Sequence, residues 1–148
     1  MAKLSGWAFP VEVDEATGRI KMVEDNDCVR QDIRLIIQTD RGERKMRPNF
    51  GAGLNRFMFQ NVDLVLVNRK YIPSWFQNVG LVLFNRMSEA MAQSIRMWEE
   101  HIRGANVGVM QSQEDNAAVL VNIEYITDIH PTQREELQEE LELNQAGR

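Results

Sequence analysis

Met91-Ala92-Gln93-Ser94-Ile95-Arg96-Met97-Trp98-Glu99-Glu100-His101-Ile102-Arg103-Gly104-Ala105-Asn106-Val107-Gly108-Val109 changes its hydrophobic period partway along. Met91, Ile95, Trp98 and Ile102 recur at four, three and four residue steps, continuing a stripe from Phe84 and Met87. That spacing predicts a helix over Ser88 to Arg103, with Gly104 as its stop. Beyond Gly104 the step is two. Val107 and Val109 lead to a turn at Glu114-Asp115-Asn116, and Val119, Val121, Ile123 and Tyr125 then fall on one face. This is the pattern of a hairpin of long strands. A helix feeding such a hairpin predicts an α+β chain: a single two-layer domain, its antiparallel sheet and C-terminal β-hairpin packed on two main helices.

Working back toward the N-terminus, Trp7, Phe9, Val11 and Val13 share one parity, and Ile20 and Met22 resume it after Asp14-Glu15-Ala16-Thr17-Gly18. This reads as two strands joined by a turn, with Pro10 marking an edge or irregular start. Asp25 or Asn26 can cap a helix whose apolar positions are Val29, Ile33, Ile36 and Ile37, ending near Thr39-Asp40-Arg41-Gly42. Glu43 to Met46 could form a short strand, after which Pro48, Gly51 and Gly53 impose a loop that Leu54, Phe57, Met58 and Phe59 tie to the core. At the other end, Pro131 precedes Thr132-Gln133-Arg134-Glu135, a capping-box pattern that predicts a short acidic helix through Leu141. The expected division is a domain over 1–129 and a helical acidic tail over 130–148.

Phe59-Gln60-Asn61-Val62-Asp63-Leu64-Val65-Leu66-Val67-Asn68-Arg69 recurs seventeen residues later as Phe76 to Arg86, identical at nine of eleven positions. A tandem duplication of one short piece, an insert around residues 60–76, is the economical account. The second copy runs into the helix predicted above. Pro73 can stop a helix after the first copy and Ser74 can cap the next, so the two copies need not fold alike. Tyr71, Trp75 and Phe76 at the junction are expected to be buried against the body.

Length and composition narrow the function classes. The 148 residues, 43% hydrophobic and 26% charged, suit one compact core. The net charge of −5 is unevenly spread. The last nineteen residues hold five Glu against two Arg, while Val29 to Arg56 holds seven cations against three anions. Without interleaved aromatics or a nucleic-acid module, the basic stretch reads as a solvated face or a contact with an acidic protein neighbour, not a nucleic-acid site. Cys28 alone forms no internal disulfide and, with only His101 and His130, assembles no zinc-site spacing. No phosphate-binding motif follows Gly51 and Gly53, so no metal or cofactor is expected. Met1 to Gly6 lacks an apolar signal core, and Val62 to Val67 and Val79 to Phe84 are far shorter than the roughly 20 residues of a spanning helix. Synthesis in the cytoplasm without membrane insertion is the expectation. Glu99 and Glu100 are the one carboxylate pair that invites a hydrolase reading, but adjacent helical residues point apart.

In order along the chain come Gly18-Arg19-Ile20, the helix near Val29 to Ile37, and Gly42-Glu43-Arg44-Lys45-Met46-Arg47-Pro48-Asn49-Phe50-Gly51. Leu54, Phe57 and Phe59 follow, then Trp98-Glu99 ahead of a hairpin. Together they resemble the small baseplate wedge family of contractile phage tails and contractile injection systems, parts of which carry a lysozyme label and which includes the TssE component of type VI secretion. The resemblance covers most of Phe9 to Thr127. It departs where the family's Glu-Pro-Arg-Ile stands here as Glu99-Glu100-His101-Ile102, and in the duplicated insert. It implies a structural, non-enzymatic subunit, with Glu99, Glu100, His101 and Arg103 gripping the helical core bundle of the wedge. The family's arginine would be replaced here either by His101 itself, with a weaker or re-routed contact, or by Arg103. It also implies that Val107, Val109, Gln111, Val119, Val121, Ile123 and Tyr125 build a platform to which the tail sheath protein adds strands. Implied partners are other wedge proteins and sheath, in six copies around a symmetric baseplate of an assembled tail or injection particle. The competing readings are a peptidoglycan-cleaving hydrolase and a free-standing protein-binding module.

Overall fold

A computed structural model of the chain describes residues 4–58, 74–111 and 118–142. Strands β1 (Ser5–Trp7) and β2 (Met22–Glu24) pair antiparallel, and α1 (Asp25–Gln38) follows β2 directly. The short α2 (Asn55–Met58) closes the intervening loop, and α3 (Ser74–Trp98) is the long helix. The chain ends in β3 (Ile102–Gln111), β4 (Ala118–Thr127) and β5 (Arg134–Glu142), a three-stranded antiparallel sheet in the order β3-β4-β5.

The two predicted periods meet in one core. Val29, Ile33, Ile36 and Ile37 of α1 and Met87, Met91 and Ile95 of α3 pack with Val107, Val119, Val121, Ile123 and Tyr125 on the inner face of the sheet. Each such aliphatic side chain contributes about 1.5 to 3 kcal/mol on full burial. The architecture is the α+β fold expected, two helices on one antiparallel sheet. The backbone of the second copy, from residue 76 on, is helical within α3, as its sequence predicts. The first copy, Tyr71, the side chains of Trp75 and Phe76, and the turn at Glu114-Asp115-Asn116 lie outside what the structure describes.

Several boundaries differ from expectation. The helix ends at Trp98 rather than Arg103, because the chain turns at Glu99 to His101 to enter β3; Gly104 sits inside that strand, at a register shift between Ile102 and Gly104. Glu43 to Met46 forms turns and not a strand, as the bonds Gly42 N–H to Pro48 O and Arg47 N–H to Arg44 O fold the segment back on itself. Glu24, not Asp25 or Asn26, precedes α1, and no side chain caps it. Asn26 instead donates to the Glu135 carboxylate, 3.0 Å away. The N-terminal strands pair at Ser5 to Trp7 rather than Phe9 to Val13, with one bridge from Val13 to Ile20. Gln31 of α1 holds this ribbon by accepting from Phe9 N–H and donating to Trp7 O.

The largest correction is the tail. Residues 134–142 form strand β5, paired along the whole of β4, and not a helix. Leu137 and Leu141, four residues apart, fit either period. What decides is the unpaired edge of β4 and two cations on α1: Arg34 pairs with Glu139, and Arg30 lies 3.7 Å from Glu135. The strand alternates accordingly, with Leu137 buried and Glu136, Gln138 and Glu140 outward.

Candidate functional site

The corner where α3 turns into β3 gathers the residues the sequence singled out. Trp98 ends the helix with its ring 5.4 Å from that of Phe50, tilted by 57°. Glu99 N–H still bonds to Ile95 O, and the carboxylate folds back to accept from His101 N–H at 3.2 Å. Its side chain is buried, at 6% exposure. Burial first, and then the charge of Asp32, hold this carboxyl above its ordinary value, while the His101 N–H bond and the His101 charge pull the other way. Glu100, one residue on, is exposed.

Asp32 is the member that sequence reading missed. It lies one turn after Cys28 on the face of α1 turned toward the corner, and burial raises its carboxyl too, opposed by the His101 charge. Cys28 is a free, buried thiol 4.0 Å from Asp32, pushed up by burial and by the Asp32 and Glu99 charges. The signal in the sequence was faint: a carboxylate between Val29, Ile33 and Ile36 on an otherwise apolar helix flank. Two partly desolvated carboxyl groups, Glu99 and Asp32, thus meet one histidine at the corner.

Arg103 does not join them. It projects from β3 and pairs with Asp128, whose own N–H bonds to His101 O, so the strand takes the guanidinium away from Glu99. The expected sheath-binding residues separate in the same way. Val107, Val119, Val121, Ile123 and Tyr125 point into the core, Val109 is half-buried, and the Gln111 side chain lies outside the description. The Tyr125 hydroxyl faces Arg30. β4 is hydrogen-bonded on both sides, by β3 and by β5, so its backbone has no edge to offer. Among the described residues, the outer edges of β3 and β5 carry no strand partner.

Among the described residues no group of three or more His, Cys, Asp or Glu side chains could hold a metal ion, and no helix is long and apolar enough to cross a membrane. A groove of about 300 Å³ between α3 and the sheet is lined by Arg96, Asn106, Glu124 and Arg134, away from Glu99.

The profile of the family described as baseplate wedge protein gp25 matches residues 23–70, which hold α1 and the Gly42 to Gly51 signature. No curated protein matches the chain. Among solved structures it is similar to a protein of Geobacter sulfurreducens provisionally named a tail lysozyme, with 23% identity, 82% of this chain and 93% of that one covered, and a TM-score of 0.56. It is also similar to a chain in the six-fold symmetrised baseplate of the anti-feeding prophage, with 18% identity, 96% and 87% covered, and a TM-score of 0.56. A chain in the baseplate complex of the type VI secretion system has 11% identity, 78% and 90% covered, and a TM-score of 0.54. At these identities the likeness is one of fold. With the wedge signature over residues 23–70 and a fold shared with two baseplate chains, the family this protein resembles is that of the small baseplate wedge proteins.

Proposed function

We propose that the chain is a structural baseplate wedge subunit of a contractile tail or injection system, working by contact and not by catalysis. The wedge signature over residues 23–70 supports the baseplate role. The finer reading is that Glu99, with Asp32 and His101, receives a cation from the wedge's helical core bundle, while the sheet accepts strands from the first sheath ring. Six copies around the ring would each link wedge to sheath. The observation that carries this reading is the buried Glu99 carboxylate beside Asp32. Two carboxyl groups held above their ordinary range cost the isolated chain stability, and a partner's guanidinium would recover it.

For strand addition the topology restricts the choice. β4 is saturated, so added strands meet β3 or β5, and β3 is the ten-residue strand that leaves the Glu99 corner. The test is incorporation. Particles purified from cells carrying a tagged chain are expected to contain it beneath the sheath, and Glu99→Arg should remove it from them. Normal particles bearing that reversal would refute the docking role.

The tail-lysozyme name of one structural relative keeps a second reading in view. Glu99 is buried and bonded back to its own turn while Glu100 is exposed, so the adjacent pair does not flank a substrate. A peptidoglycan zymogram separates the readings: a lytic band lost in Glu99→Gln would favour the hydrolase.

A further inference from the structure

We infer that the loop from Arg41 to Arg47 is a second, oppositely charged half of the docking surface, built to receive a carboxylate-rich segment of a protein partner. It extends the wedge reading above but rests on its own geometry. Four cations and one anion occupy these seven residues, and all are exposed. The anion, Glu43, accepts from Asp40 N–H at 2.9 Å and offsets one cation, so Arg41, Arg44, Lys45 and Arg47 leave the exposed loop with a net charge of +3, four less one. The ion pairs found among the described residues lie elsewhere, on Lys21, Arg30, Arg34 and Arg103.

A merely solvated charge run has no reason to be ordered, and this one is. Gly42 N–H bonds to Pro48 O at 2.7 Å, Arg47 N–H to Arg44 O at 3.1 Å and Phe50 N–H to Arg47 O at 3.0 Å. The segment then enters the core, where Ala52 N–H bonds to Ile36 O and Ser94 donates to Gly51 O. Arg44 lies 4.1 Å over the Phe50 ring, whose other contact is Trp98, the residue before Glu99. Two ring contacts therefore join the basic loop to the acidic corner. Stacking fixes the guanidinium plane and leaves its N–H donors free for a bidentate carboxylate. Preorganisation of this kind lowers the ordering cost of binding.

The chemistry favours an acidic protein over nucleic acid. Phe50 and Phe57, which follow the loop in sequence, are buried with Arg44 and Arg56 over their rings, leaving neither free for base stacking. Met46 at the tip is 93% exposed, an apolar probe that suits a pocket between carboxylates and gains nothing from a phosphate backbone.

The test uses the purified full chain and, at low salt, a fluorescently labelled glutamate-rich amphipathic helical peptide, with duplex DNA and the glutamine analogue of the peptide as competitors. Saturable, salt-sensitive binding is expected, weakened about tenfold by Arg44→Ala or by Arg47→Glu, which touches no ring, and unchanged by Arg103→Ala. No saturable binding would overturn the inference. So would an equal loss with Arg19→Glu on the remote ribbon, or preference for DNA. Because no particle is involved, the result stands apart from the incorporation test. Failure there removes the baseplate reading, and failure here removes only the basic half.

Discussion

Gly51 is the position where the loop signature and the fold meet most tightly. Its φ is +101°, and a Cβ placed there would lie 2.1 Å from Thr39 O and 2.8 Å from Thr39 C, backbone atoms of the residue that ends α1. Thr39 cannot retreat easily, since its N–H and its hydroxyl both bond to Leu35 O. In Gly51→Ala the loop itself must therefore move, and the Ser94 hydroxyl, 1% exposed, loses Gly51 O. Backbone strain of about 1 to 3 kcal/mol and an orphaned buried hydroxyl worth about 1 to 3 kcal/mol give roughly 2 to 6 kcal/mol. At this chain length that is a fall of about 5 to 20 °C in melting temperature. Gly42→Ala is the internal control: its φ is +89°, yet nothing lies within 4 Å of the added carbon, so only the conformational cost of about 1 kcal/mol remains. Thermal melts of the two variants beside the wild type decide the matter. If Gly51→Ala melts no lower than Gly42→Ala, the steric argument is wrong.

The Glu99 and Asp32 carboxyls are raised in the folded chain, so their destabilising effect is absent below the unfolded values near 4.5 and 3.8 and grows as pH rises through the folded ones. Melts across mildly acid to neutral pH should show Glu99→Gln flattening that slope and standing above wild type at neutral pH, even as docking is lost. Thr132→Ala should leave stability within about 0.5 kcal/mol, because no helix starts there to lose a cap worth about 1 kcal/mol. Leu137→Ala, emptying a buried site on β5, should cost about 2 to 5 kcal/mol in urea titrations. Deleting residues 60–76 joins Phe59 to Gln77 and regenerates Phe-Gln-Asn-Val at the start of an α3 shortened by Ser74 to Phe76. The shortened chain should keep its circular dichroism spectrum and cooperative melt.

Wherever one period dominated a long segment, sequence alone determined the element: α1 from Val29, Ile33, Ile36 and Ile37, the body of α3 from Met87 to Trp98, and the hairpin from Val107 to Tyr125. Burial of one face is a local requirement, and it leaves its mark at a fixed spacing. Glu99 was legible for a different reason, its place in a family-like motif. Only the tertiary structure decided the rest. The tail became β5 because β4 had an open edge and α1 carried Arg30 and Arg34, neither of which lies near residue 134 in the chain. Asp32 entered the corner, and Arg103 left it for Asp128, through contacts between segments distant in sequence. Periodicity reports which side of an element is dry; which charges meet across elements depends on packing that no local pattern encodes.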